Sequence, residues 1–171
     1  MSEAPVAPGR AERVIGAVAG VAASIAALTV LVALAVTSYG VLMRYVFGTP
    51  VTWVDELSGY LVIVIVMMGC ASVLLRGEHI GVDLLSVHAT GATARALAIW
   101  SMIAVALFSA ALIYSGVLML RYSVDFGIYS EGYLEAPMWM PQAVLFAGAI
   151  LLGLAAVARI MSLLRAHRDA R

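Results

Sequence analysis

The sequence contains no lysine. All ten basic residues are arginine, and ten acids balance them to a net charge of zero. Charged residues make up 12% of the chain, where an average soluble domain carries about a quarter. Nothing in this composition forms the basic stripe that nucleic acid requires. A single cysteine, Cys70, excludes an intrachain disulfide framework and a cysteine metal site. It lies inside an apolar run and reads as a small buried hydrophobe. Zinc-protease, nucleophile-elbow, phosphate-loop and paired-cysteine motifs are all missing. No catalytic residue is therefore expected.

What remains is apolar. Hydrophobic residues are 64% of the chain, with a mean hydropathy of +1.04, the composition of a membrane protein. Four runs without charge stand out: 14–43, 57–75, 96–120 and 137–158. About 20 helical residues cross the hydrocarbon core, so each run is long enough to span it. The first, about 45 Å long at 1.5 Å per residue, must tilt or project. It is also about twice the length of a signal-peptide core, so it reads as an uncleaved span. The expected fold is an all-α integral membrane protein. Residues 14–164 form a four-helix membrane domain between tails at 1–13 and 165–171, and only 1–12 and 165–171 have the composition of disordered ends.

The arginines orient the chain. Arg10, Arg13, Arg76, Arg95, Arg159, Arg165, Arg168 and Arg171 fall on one side of the spans, and only Arg44 and Arg121 on the other. The positive-inside rule then puts both termini in the cytoplasm. The first and third connections face outward. Most aromatics, Tyr39, Tyr45, Phe47, Trp53, Tyr122, Phe126, Tyr129, Tyr133 and Trp139 among them, cluster near that outer boundary as an interfacial belt. Trp100 marks the inner one.

The spans hold no charged residue and no histidine. Ion pathways, proton relays and haem ligation need such groups within the bilayer. His79, His88 and His167 lie outside the spans and lack a metal-ligand spacing, so no metal site is expected. The spans offer packing surface instead. Gly16 and Gly20 are four apart, and Gly69, Ala71 and Ser72 form a second small-residue patch. Each suits internal packing or a partner helix equally.

Two charged clusters interrupt the apolar chain. In RYVFGTPVTWVDE, residues 44–56, Thr52 and Asp55 have capping-box spacing at the start of the second span. Glu56 is left to pair with Arg44 or with a partner. In RGEHIGVDLL, residues 76–85, Ile80, Leu84 and Val87 recur on one helical face. That pattern predicts a short interfacial helix between spans two and three.

These stretches carry a resemblance. RYVFGTPVTWVDEL, then a span ending in GCASVLLRGEHIGVDLL, resembles the small membrane subunit, the DctQ-like small permease, of tripartite ATP-independent periplasmic (TRAP) transporters. Arg44, Tyr45, Phe47, Trp53, Glu56, Gly69, His79, Ile80, Val82, Asp83 and Leu84 match the family pattern. EGYLEAPMWMPQAVLFAGAILLGL is similar to its outer loop and fourth span. The resemblance implies a multi-pass protein of the bacterial inner membrane that scaffolds a large multi-span permease subunit. Uptake of an organic acid, delivered by a periplasmic substrate-binding protein, is then driven by an ion gradient. The coupling ion, sodium in the usual case, belongs to the large subunit, and this chain needs no cofactor. Arg44, Trp53, Glu56, Gly69, His79 and Asp83 become candidate partner-interface residues. Glu131 and Glu135 become candidates for docking the binding protein. The competing reading is a stand-alone four-helix membrane protein, either an assembly factor or a small oligomeric exporter.

Overall fold

The computed structural model describes residues 10–76 and 92–169. Four helices account for most of them: α1 (Arg10–Tyr45), α2 (Trp53–Arg76), α3 (Ala92–Asp125) and α4 (Trp139–Asp169). All four are long and apolar enough to cross a membrane. Each outruns its apolar sequence at one end or both, because helical hydrogen bonding does not stop at the hydrocarbon boundary. Both tails contribute helix in this way, at 10–12 and at 165–169. The expected interfacial helix, with His79 and Asp83, falls outside the described residues.

The fourth helix is the hub. It packs against α1, α2 and α3, whereas α3 packs only against α4 among the described elements. The sequence of α4 explains its place. Gly148, Ala149, Gly153, Ala155, Ala156 and Ala158 spread small residues around its circumference, so neighbours approach from several sides. A Cβ built at Gly148 would stand 2.9 Å from the Met67 carbonyl oxygen of α2. Lipid supplies little hydrophobic drive, so such close backbone approach is the main source of cohesion.

Heptad seams hold the pairs. On α3, Met102, Ser109, Gly116 and Ser123 recur at intervals of seven and are all buried. Ser109 faces Gly153 and Gly116 faces Phe146. A step of seven up α3 is thus a step of seven down α4, the register of an antiparallel coiled pair. On α1 Ile15, Ala19, Ala22, Ala26, Thr29, Ala33, Val36, Gly40 and Met43 are less exposed and alternate by four and three, with Ala23 beside them. Val18, Leu28, Leu31 and Leu34 of the same helix face outward.

The connections 46–52 and 126–138 lie at one end of the bundle. Gly127, at φ +57°, stops α3: its N–H reaches Val124 O at 3.4 Å, and Ile128 N–H reaches Ser123 O at 3.0 Å. These are the two bonds of a glycine-terminated helix cap. Residues 128–138 then double back. Tyr129 pairs with Pro137, and Ser130 N–H bonds Ala136 O at 2.9 Å. Pro137 and Met138 are used in this pairing, so α4 starts at Trp139 and not at the head of the apolar run.

Candidate functional site

Of the candidate residues, Arg44, Trp53, Glu56, Glu131 and Glu135 lie at the connection end, Gly69 sits deeper in α2, and His79 and Asp83 fall outside the described residues. The site is built around the Glu56 carboxylate. This carboxylate occupies the first turn of α2. Its Oε1 accepts the Tyr60 hydroxyl at 2.7 Å, one helical turn on. Its Oε2 accepts the Leu134 main-chain N–H at 3.1 Å, from the far connection. The Ser130 hydroxyl also bonds the carboxylate, and it receives the Gly132 N–H at 3.2 Å. Bonds to an ionised acceptor are the strong kind. The carboxylate therefore ties the 126–138 connection to the mouth of α2.

Gly132 is required by the same contact. A Cβ at this position would fall on Glu56 Oε2. The turn above it is tight: Glu135 N–H bonds Gly132 O at 3.2 Å, and Glu135 itself has φ +42°. A non-glycine residue seldom adopts that conformation. The tip so held presents Glu131, Tyr133 and Glu135, all exposed.

Arg44 does not meet Glu56. It lies 4.0 Å from Asp55, with both side chains well exposed. The Glu56 carboxylate is taken up by the far connection, which leaves Asp55 as the acid facing α1. Trp53 stacks on Tyr39, with ring centroids 6.1 Å apart and planes at 30°. It therefore joins α1 to α2 besides lying in the aromatic belt. Below it, Gly40 lets Val54 approach: an added Cβ would stand 2.8 Å from Val54 Cγ1.

The small-residue patches divide. Ala71 and Ser72 are buried inside the bundle. A Cβ at Gly69 would meet nothing within 4 Å, and the same holds at Gly16 and Gly20. These three glycines do not serve close approach among the described residues. Sequence reading missed Ser130 and Gly132. A glutamate one turn before a tyrosine was a visible hint of an intrahelical pair, but no local pattern pointed to the far connection.

Residues 33–166 match the profile of the DctQ component of tripartite ATP-independent periplasmic transporters, over more than three quarters of the chain. The chain belongs to the DctQ family. It is accordingly the small component of a TRAP transporter, a multi-pass protein of the bacterial inner membrane. Comparison with curated proteins and with solved structures gives no significant match. The DctQ match includes Arg44, Trp53, Glu56, Gly69, His79, Asp83, Glu131 and Glu135. The Glu56 latch thus lies within the part of the chain that the family defines.

Proposed function

We propose that this DctQ chain scaffolds the large permease subunit of its transporter and presents a fixed surface to the substrate-binding protein. It carries no catalytic group and holds no cofactor. The solute and ion sites lie in the large subunit, where a sodium gradient drives uptake of an organic acid. Both termini are cytoplasmic, so the Glu56 latch faces the periplasm. His79 and Asp83 anchor the stretch between spans two and three against the large subunit.

The observation that carries this reading is the packing of α4. Its small residues close the bundle against three neighbours, with Gly148 on Met67 and Gly153 on Ser109. Helices so tightly seamed serve better as a wall than as a conduit. The latched loop supports the second half of the reading. A tip fixed by Glu56 and displaying Glu131, Tyr133 and Glu135 is preorganised for a protein partner with basic groups.

Reconstitution into vesicles tests the proposal. Uptake of an organic acid should require this chain, the large subunit and the binding protein together, and this chain alone should transport nothing. Transport by this chain alone would favour the small-exporter reading and overturn the scaffold.

A further inference from the structure

A second site lies on the other flank of the connection end. Between the last turns of α1 and the first turns of α2 is a cleft of about 320 Å³. Thr37, Val41, Arg44, Val54, Asp55 and Ser58 are among its walls. It is separate from the Glu56 latch. The geometry points to a binding site for the headgroup of an aminophospholipid, with its phosphate on Arg44 and its primary ammonium on Asp55.

Charge supports a zwitterion. Arg44 and Asp55 are 4.0 Å apart, at the limit of an ion pair, and their side chains are 57% and 80% exposed. Such a pair satisfies neither partner well. Among the described residues neither has another ionic partner. A free phosphate would meet Asp55 as a repulsive neighbour, and a lone amine would meet Arg44. A headgroup carrying both charges answers both, with guanidinium donors for the phosphate oxygens and a carboxylate acceptor for the ammonium. The hydroxyls of Thr37 and Ser58 add neutral hydrogen-bonding groups.

Position supports a lipid over a free solute. Arg44 follows the apolar run that ends at Met43, and Asp55 stands just before the one that begins at Leu57. The cleft is therefore level with the headgroups, flanked by Tyr45 and Trp53. Below it the α1 surface is bare and apolar at Leu34, Val41 and Leu42. Acyl chains would lie against that surface while the headgroup fills the cleft. This site depends on the spans alone and stands whether or not the chain scaffolds a transporter.

The chemistry sets the selectivity. Phosphatidylethanolamine has N–H donors for Asp55. Phosphatidylcholine carries the same charges without a donor, and phosphatidylglycerol has no cation. Native mass spectrometry of the full-length chain, delipidated in mild detergent and given each lipid with identical acyl chains, tests the site. One phosphatidylethanolamine should be retained with a preference of about tenfold over the other two. The substitutions R44Q and D55N should each remove that preference, while E131Q, outside the cleft, should keep it. Equal retention of the three lipids by the unaltered chain would overturn the assignment without reference to any variant. A preference that survives both R44Q and D55N would overturn it as well.

Discussion

The Glu56 carboxylate accepts the Leu134 main-chain N–H at 3.1 Å, across 78 positions of sequence. This one bond joins the α1–α2 hairpin to the connection between α3 and α4. Its energetic setting is favourable, because the acceptor is ionised and the donor is a fixed main-chain group. The shape of the exposed tip at 131–135 follows from it.

The latch has two independent ways to fail. Glu56→Ala removes the acceptor, and Gly132→Ala sets a methyl group on the position that Glu56 Oε2 occupies. Both should release the loop without unfolding the bundle. Hydrogen exchange at the Leu134 amide should speed up in both variants, while exchange in the buried part of α4 stays unchanged. Unaltered protection of Leu134 in either variant would mean that the loop is held by something other than this carboxylate.

Packing around α4 makes a sharper contrast. Gly148→Ala would force a Cβ against Met67 main-chain atoms, at 2.9 Å from the oxygen and 3.0 Å from the carbon. Overpacking of this kind costs about 1–3 kcal/mol. Gly69→Ala meets nothing among the described residues within 4 Å and should not destabilise the isolated chain, because alanine is favoured over glycine in a helix interior by about 0.5–1 kcal/mol. Unfolding titrations of the two variants in the same detergent compare them directly.

The stack of Trp53 on Tyr39 should be measurable as a coupling. A double-mutant cycle with Trp53→Ala and Tyr39→Ala should return about 0.5–1.5 kcal/mol of interaction. A coupling near zero would reduce both rings to independent members of the interfacial belt.

If the loop tip meets basic groups on the binding protein, charge and salt should act together. Neutralising Glu131 and Glu135 to glutamine should flatten the dependence of docking on ionic strength, chiefly through the association rate. The double variant His79→Ala with Asp83→Ala should instead weaken recovery of the complex with the large subunit.

How much of this was legible in the sequence depends on the range of the interaction. The four spans were legible because an uncharged apolar run has few other uses in a chain this hydrophobic. The aromatic belt was legible for the same reason, since amphipathic rings collect where water meets lipid. The seams were not. Gly16 and Gly20 read as a packing patch, yet Ala19 and Ala22 form the seam and the two glycines meet none of the described residues. Only the alternation by four and three over the whole helix, read against burial, separates them. Spacing gave Asp55 to a capping box and left Glu56 to pair with Arg44 or with a partner, and the structure reverses the choice of acid for Arg44. The choice was made by Leu134 and Ser130, which enter only when the far connection folds back. Hydrogen-bond partners separated by 78 residues leave no periodic trace.

Affinity extraction of the full-length chain from native membranes in mild detergent, followed by identification and quantification of whatever co-purifies, tests the central claim most directly. The account predicts a large multi-span membrane subunit recovered in equal amount with this chain. Recovery of the chain alone, or only with copies of itself, under conditions that keep other membrane complexes intact, would contradict it.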